Sequence, residues 1–166
     1  NVYMAKLNIL TFPDPRLRTV AIPVTKFDKS LENLVSDMLE TMYEENGIGL
    51  AATQVDYHER IIVIDISDER NEPKIFINPE FKILNDKSLL SFSEGCLSVP
   101  GVLEEIVRPD SIVLTWQDIH GKRFTEEPSG LLTVCIQHEI DHLEGKLMVD
   151  YLSTLKRDRI RKKATK

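Results

Sequence analysis

The segment His138-Glu-Ile-Asp-His142 restricts the fold of this chain more than any other part of the sequence. It lies in a helical pattern at 130–144, whose apolar positions predict burial of Leu131, Val134, Cys135 and Leu143. Polar and ionisable side chains are costly to bury unless they are paired, and four of the five residues of the segment are of this kind. A core helix with this segment must therefore bring its polar side chains to partners or to a bound ion.

The spacing of the two histidines predicts a metal site. Residues four apart on a helix lie on one face, with Cβ atoms about 5–6 Å apart, so His138 and His142 can hold one ion. Glu139 lies one step around the helix, where it can take a proton from a metal-bound water, which is typical of a metal-assisted hydrolase. The alternative is a pair of partly exposed, hydrogen-bonded histidines. A catalytic site of this kind usually has a third protein ligand and one open position.

Few residues are candidates for the third ligand. His58 and His120 lie in predicted polar turns, where we expect surface exposure. Cys135 is separated from His142 by about 10 Å along the helix, and one ion cannot reach both at bond lengths of about 2.3 and 2.1 Å. Cys96 would complete a Cys/His/His set, although a lone cysteine is also common as a buried apolar residue.

Composition is typical of a soluble globular protein. The 166 residues suit one domain, with 42% hydrophobic and 29% charged residues. No apolar run approaches the roughly 20 residues of a membrane span, and no export signal is recognisable near the N-terminus. Two cysteines are too few for a disulfide framework, so we expect both to be reduced thiols in a cytosolic setting.

The charge is distributed unevenly along the chain. The formal net charge is −6, but residues 156–166 contain seven Lys or Arg and one acid, which is +6 and leaves −12 for the other residues. We therefore expect a basic C-terminal helix on an acidic body. Its basic side chains either form a solvated helix face or attract a polyanion such as RNA.

Hydrophobic periodicity predicts helices at both ends of the chain and strands between them. The first helix is predicted at 30–45, and Ser153 or Thr154 caps a last helix. Small residues without alternation at 47–54 favour a loop. The predicted strands are 60–66, 74–81 with Pro79 in its later half, 111–117 and 122–125. This order favours an α+β fold with mostly antiparallel strands.

Three segments together resemble the motifs of peptide deformylases. They are Gly47-Ile-Gly-Leu-Ala-Ala-Thr-Gln54, Glu94-Gly-Cys-Leu-Ser98 and Gln137-His-Glu-Ile-Asp-His142. Their order and spacing are familiar from that family, and the similarity extends to 13–18 and 61–66, so it covers nearly the whole chain. The resemblance is to the bacterial type with a helical C-terminus. It implies mostly antiparallel sheets packed around a central metal-bearing helix, in one catalytic domain over 1–166.

The resemblance implies a hydrolase that removes the formyl group from N-formylmethionyl peptides, the start of new polypeptides, and releases formate. The metal ligands would be Cys96, His138 and His142. The ion is typically Fe²⁺ in the family, and Zn²⁺, Ni²⁺ or Co²⁺ can also occupy such a site. A metal-bound water would attack the formyl carbon, with Glu139 as general base and then general acid.

The remaining catalytic and binding residues follow from the same resemblance. The backbone N–H of Leu97 and the side-chain amide of Gln54 would stabilise the oxyanion. Backbone groups of Ile48 and Gly49 would bind the peptide as an added strand, and Glu94 would orient a metal ligand or a pocket loop. The methionine pocket would be formed by Phe92, Leu131, Val134 and Cys135, with the side of His138.

One departure concerns the peptide contacts. Some members of the family carry an arginine that binds the peptide backbone, where this sequence has Leu103 or Glu104. The basic helix at 156–166 implies the ribosome as a second partner, as in some relatives. We expect no membrane association, no specific DNA binding and a location in the bacterial cytoplasm.

Two other functions fit parts of the pattern. A zinc endopeptidase of the His-Glu-x-x-His type would cleave internal peptide bonds and would not need Cys96. A metal-binding or ribosome-associated module without catalysis would not need Glu139.

Overall fold

The computed structural model describes residues 5–165 and contains two antiparallel sheets with helices around them. The helices are α1 (Lys29–Glu44), α2 (Gly130–Leu143) and α3 (Thr154–Ala164). The strands are β1 (Gly49–Ala51), β2 (Ile61–Ile64), β3 (Lys74–Ile83), β4 (Leu89–Cys96), β5 (Val99–Pro109), β6 (Ile112–Gln117) and β7 (Arg123–Glu126). The larger sheet has the order β1-β2-β3-β6-β7, and β4 pairs with β5. All of these strand pairs are antiparallel, which confirms the predicted α+β class.

Strand β2 lies at the centre of the packing because both of its faces are buried. Ile62 and Ile64 belong to the apolar cluster that contains α2, whereas Ile61 and Val63 belong to the cluster that contains α1. Successive side chains of a strand point to opposite faces, so the two helices lie on opposite sides of the sheet. This explains why the strand is an unbroken apolar run rather than an alternating one.

Helix α2 is the central helix of the fold. Every residue from Thr133 to Ile140 is buried, and the side chains of Ile136, Ile140 and Leu143 pack in the cluster with the sheet. The polar residues between them face away from that cluster. The expected burial of Leu131 is wrong, because this residue is 37% exposed at the start of the helix.

The β4–β5 hairpin was not expected from the sequence. Cys96 pairs with Val99, so only Leu97 and Ser98 form the turn. Two-residue hairpin turns usually show Asn-Gly, Asp-Gly or a leading Gly, and the residues here carry no such signal. The hairpin places Cys96, the last residue of β4, next to α2.

Two other segments differ from expectation. The predicted loop at 47–54 is strand β1 followed by a 3₁₀ helix at Ala52–Val55. Strand β3 extends two residues beyond the predicted end, and Pro79 is accommodated by a register shift between Ile77 and Glu80. The missing N–H of a proline is tolerated at such an irregularity.

The C-terminal helix α3 follows the expected cap. The side chain of Ser153 accepts a hydrogen bond from the N–H of Lys156. Ile160 packs against a third apolar cluster that includes Phe12, whereas the helix has no fully buried residue. Among residues 5–165, no helix combines the length and the apolar character needed to cross a membrane.

Candidate metal centre and active site

Three side chains meet where the tip of the β4–β5 hairpin lies against α2. The Sγ of Cys96 lies 3.3 Å from Nε2 of His142. One ligand atom from each of Cys96, His138 and His142 lies within 4.8 Å of the others. Bonds of about 2.3 Å to sulfur and about 2.1 Å to nitrogen fit the separation of Cys96 and His142. The set of donors therefore suits a divalent transition metal ion, with two ligands from one helix and one from the hairpin.

A buried ion pair orients His138. Its Nδ1–H donates to Oε1 of Glu94 at 2.9 Å, which leaves Nε2 as the ring nitrogen that could bind a metal ion. Arg108 of β5 donates from Nε and Nη2 to the two oxygens of Glu94, at 2.6 and 2.9 Å. Burial by itself would raise the pKa of Glu94, but the hydrogen bonds from Arg108 and His138 outweigh it and lower this pKa below its usual value.

The ion pair extends to the segment before α3. Nη1 of Arg108 donates to Oδ2 of Asp141 at 3.0 Å, and the hydroxyl of Tyr151 donates to the same oxygen at 2.7 Å. The guanidinium of Arg108 also lies over the Tyr151 ring, 4.8 Å from its centroid. Asp141 is therefore part of the support of the site rather than a free surface charge.

Glu139 lies beside the candidate ligands with one carboxylate oxygen free. Its side chain is 6% exposed, and its Oε2 lies 4.0 Å from Nε2 of His138. Its Oε1 is buried without a hydrogen-bond partner among the described residues. Burial raises the pKa of Glu139 to about 7, against the attraction of His138. A buried, unpartnered oxygen with a pKa near neutrality suits a group that accepts and returns a proton.

The pKa values of the two histidines are shifted in opposite directions. Burial favours a neutral ring for His138, but the charge of Glu139 and the hydrogen bonds with Cys96 and Glu94 raise its pKa well above the usual value. Burial and the nearby positive charges lower the pKa of His142 well below the usual value. A metal ion bound at this site would replace a proton on His138, so metal binding should weaken as the pH falls.

Gln54 presents a side-chain amide to the same site. Its Oε1 accepts from the N–H of Ala51 at 2.9 Å, which directs Nε2 towards the hairpin tip. Nε2 donates to Oγ of Ser98 at 3.0 Å and approaches Sγ of Cys96 at 3.6 Å. These contacts fix which end of the amide is the donor. Leu97 lies between Cys96 and Ser98 in the hairpin turn.

A cleft of about 700 Å³ opens above these groups. It is lined by every residue expected at the site except His142, which lies fully buried beneath it. The lining residues expected from the sequence are Ile48, Gly49, Gln54, Phe92, Glu94, Cys96, Leu97, Leu131, Val134, Cys135, His138 and Glu139. Leu103 also lines the cleft and is exposed. Cys135 is a buried thiol in its wall, and burial raises the pKa of Cys135 to about 12.

Two glycines allow the backbone at 47–49 to approach Glu139 and Leu97 closely. A Cβ on Gly49 would lie 2.7 Å from Oε2 of Glu139, and a Cβ on Gly47 would lie 2.6 Å from the side chain of Leu97. Any side chain at either position would therefore displace a neighbour. Neither glycine has a positive φ, so close approach rather than backbone conformation accounts for them.

Comparison with known proteins agrees with this geometry. The family model described as polypeptide deformylase matches residues 6–158. The chain belongs to the polypeptide deformylase family. Peptide deformylase of Pseudomonas aeruginosa is 59% identical over 163 residues, covering 98% of this chain and 96% of that protein. Peptide deformylase of Saccharophagus degradans is 58% identical, covering 98% and 94%. The general function of the family, shared by this enzyme, is the deformylation of nascent peptides.

Solved deformylase structures have the same fold. The crystal structure from Legionella pneumophila is 45% identical, with a TM-score of 0.89, covering 97% of this chain and 94% of that chain. The structure from Ehrlichia chaffeensis in complex with actinonin is 40% identical, with a TM-score of 0.91, covering 98% and 97%. The expected architecture, antiparallel sheets around a central helix that bears the candidate ligands, is thereby confirmed.

Reasoning from the sequence missed three residues that support the candidate site. Arg108, Ser98 and Tyr151 hold Glu94, Gln54 and Asp141 respectively, as described above. The one available signal was indirect: a carboxylate such as Glu94 inside a buried motif needs a cationic partner. No spacing rule identifies that partner, because Arg108 reaches it across the β4–β5 hairpin.

Proposed function

We propose that this enzyme removes the formyl group from N-formylmethionyl peptides by general acid–base catalysis at a metal site formed by Cys96, His138 and His142. The observation that carries the proposal is the convergence of these three ligand atoms beside the unpartnered, buried oxygen of Glu139. A divalent ion held there supplies a Lewis acid and lowers the pKa of a coordinated water.

Glu139 is the proton carrier of the proposed reaction. Its free Oε1 accepts a proton from the attacking water, and the protonated carboxyl returns it to the leaving amine. Since burial brings the pKa of Glu139 to about 7, neither transfer is strongly uphill near neutral pH. The product amine is released with formate.

The developing oxyanion is stabilised by fixed donors. The Nε2–H of Gln54 is held by the contacts of its amide with Ala51 and Ser98, so little reorganisation is needed during the reaction. The backbone N–H of Leu97 is the second donor of the proposal. A carboxylate at position 54 would repel the oxyanion, which accounts for an amide there.

Substrate selection rests on the walls of the cleft. The methionine side chain occupies the part lined by Phe92, Leu131, Val134 and Cys135, beside the ring of His138. The peptide backbone pairs with the open edge of β1 at Gly49, because β1 is a terminal strand of its sheet, and the exposed side chain of Ile48 lies beside it. With Leu103 exposed on the other wall, that wall contributes apolar contact rather than an ionic one.

The native ion of the proposal is Fe²⁺, the typical ion of the family that the sequence resembles. One thiolate and two imidazoles also accept Zn²⁺, Ni²⁺ and Co²⁺, so the choice depends on supply and oxidation as well as on geometry. Metal content and formate release should therefore be compared for iron-loaded and zinc-loaded protein under anaerobic conditions.

The decisive test is formate release from formyl-Met-Ala-Ser. Glu139→Gln should retain the metal and lose turnover by at least about 100-fold, because the base is gone but the ligands remain. Cys96→Ala should lose metal as well as activity. Glu126→Gln, an exposed residue of β7, is the matched control and should behave as the wild type. Undiminished formate release by Glu139→Gln would reject the mechanism. Cleavage of an internal peptide bond would indicate an endopeptidase instead.

We also propose that the enzyme binds the ribosome and that it acts in the bacterial cytoplasm. Three basic residues of α3 have no salt-bridge partner among residues 5–165, namely Arg159, Lys162 and Lys163. Replacing all three by Glu should abolish co-sedimentation with ribosomes and leave hydrolysis of the tripeptide unchanged. Unchanged co-sedimentation of the triple variant would exclude this role for the helix.

A further inference from the structure

The segment from Gly47 to Gly49 forms one wall of the cleft with its backbone. Gly49 lies against Glu139, and Gly47 lies against Leu97. A shift of this segment would therefore move the strand edge to which the peptide is proposed to bind. What holds the segment in place is consequently relevant to the reaction.

The pairing of β1 with β2 determines where the backbone groups of Gly49 point. The carbonyl of Ile48 accepts from the N–H of Asp65 at 2.9 Å. In an antiparallel pair, hydrogen-bonded and non-hydrogen-bonded residue pairs alternate. Gly49 lies opposite Ile64 in the next, non-hydrogen-bonded pair, so its N–H and C=O point away from β2 and towards the open edge. The contact between Ile48 and Asp65 thus sets the direction of the groups that would bind a peptide.

A side-chain network fixes Asp65. Its carboxylate is fully buried and accepts from the hydroxyl of Tyr43 at 2.6 Å and from the N–H of Glu72 at 3.1 Å. It also accepts from the hydroxyl and the N–H of Ser67, at 2.5 and 2.9 Å. Four hydrogen bonds to one buried carboxylate leave it little freedom to move, so the backbone of Asp65 is held where it meets Ile48.

Arg70 connects this network to the wall of the cleft. Its Nη2 donates to the carbonyl of Gly47, and its Nη1 donates to the backbone carbonyl of Asp65 at 3.0 Å. Its guanidinium also lies 5.2 Å from the centroid of the Tyr43 ring. Arg70 has φ 56°, in the left-handed region that residues other than glycine rarely adopt. Such a conformation persists only where surrounding contacts require it.

We propose that Tyr43, Asp65 and Arg70 are positioning residues that hold the Gly47–Gly49 segment in the orientation required to bind the peptide backbone. The proposal rests on the proposed function, in which the edge of β1 pairs with the substrate. None of the three side chains lines the cleft, so they act through the carbonyls of Gly47 and Ile48. Tyr43 is contributed by α1 and Asp65 by the segment after β2, so the network joins the helix to the strand that forms the wall.

Steady-state kinetics of the metal-loaded enzyme on formyl-Met-Ala-Ser test the proposal. Arg70→Met removes both donors to the backbone and should raise KM about tenfold, with a change in kcat of less than about threefold. Arg70→Lys keeps the charge but cannot donate to the carbonyls of Gly47 and Asp65 with two separate N–H groups of a planar guanidinium. The KM of this variant should therefore lie between those of the wild type and Arg70→Met. Tyr43→Phe removes only a hydroxyl and provides a second variant if Arg70→Met folds poorly. Its KM should also rise, by about threefold to tenfold.

Two comparisons separate positioning from general stability. Arg123→Met removes an exposed arginine from β7 and should leave KM and kcat unchanged. Formyl-methionine amide lacks the downstream peptide backbone, so the Arg70 and Tyr43 variants should differ from the wild type less on it than on the tripeptide.

The results that would overturn the proposal are distinct from those that would overturn the proposed function. Variants that are less stable to heat but have an unchanged KM would show that the network is structural only. An equal rise in KM on both substrates would also overturn it, because the effect would then not involve the backbone. If the wild-type enzyme releases no formate, the proposed function fails first, and this proposal fails with it.

Discussion

Substitution of Gly49 by alanine is the most direct test of the geometry around Glu139. The new Cβ would lie 2.7 Å from Oε2, 3.2 Å from Cδ and 3.3 Å from Cγ of Glu139. Since Gly49 does not have a positive φ, the backbone itself tolerates alanine. To restore an ordinary contact of 3.4 Å, the carboxylate and the strand must separate by about 0.7 Å.

The expected effect on turnover follows from that displacement. A catalytic group misplaced by about 1 Å can cost about 100-fold in rate. We therefore expect kcat of Gly49→Ala on formyl-Met-Ala-Ser to fall between about tenfold and 100-fold. Metal content should be unchanged, because the three atoms nearest to the new methyl group all belong to Glu139, which is not a candidate ligand.

A double-variant cycle identifies the cause. In the Glu139→Gln background the base is already absent, so adding Gly49→Ala should reduce kcat by much less than it does in the wild type. The same fold-loss in both backgrounds would refute the reasoning, because the methyl group would then act on something other than Glu139. A wild-type kcat for the single variant would refute it as well.

Three further predictions concern the support of the site. Burial by itself would raise the pKa of Asp65, but its hydrogen bonds, led by those from Ser67 and Tyr43, together outweigh burial and lower this pKa to about 2. A carboxyl group whose pKa is lower in the folded than in the unfolded protein stabilises the fold, and it does so fully above its unfolded pKa of about 3.9. The contribution of Asp65 to the free energy of unfolding should therefore fall by about 2 kcal/mol between pH 4 and pH 2. Denaturant unfolding across this range should show the loss, and Tyr43→Phe should reduce it. Arg108→Met leaves Glu94 buried without its cation and should destabilise the protein by about 3–5 kcal/mol and accelerate metal release; a loss below 1 kcal/mol in thermal unfolding would contradict this. Ser98→Ala frees the amide of Gln54 and should lower kcat by about threefold to tenfold with metal content unchanged.

Local sequence patterns were sufficient for most of the secondary structure. The helices α1 and α2 were predicted to within one residue, and β2, β6 and β7 to within two. These elements bury an apolar stripe or run that the sequence displays directly. The β4–β5 hairpin was missed because its turn, Leu97-Ser98, has no glycine or asparagine, and its stability comes from pairing along the whole hairpin.

Residue spacing identified only part of the candidate ligand set. The spacing of His138 and His142 predicts a pair of ligands on one helix. The separation of about 10 Å between Cys135 and His142 along that helix excludes Cys135 as the third ligand. Spacing alone left Cys96 open, and the family resemblance assigned it. The fold explains the choice, because the hairpin tip carries its sulfur to 3.3 Å from His142.

The sequence by itself determined the fold class, the helix with its two candidate histidine ligands and the residue types that the proposed chemistry needs, because these depend on periodicity and on spacings of a few residues. Only the tertiary structure showed that Arg108 neutralises Glu94, that Ser98 orients Gln54, and that Arg70 holds the carbonyl of Gly47. Such partners are separated by 14 to 44 positions along the chain. A buried charge or amide requires a partner, but it can find that partner on any element packed beside it, so the pairing is decided by packing and not by sequence distance.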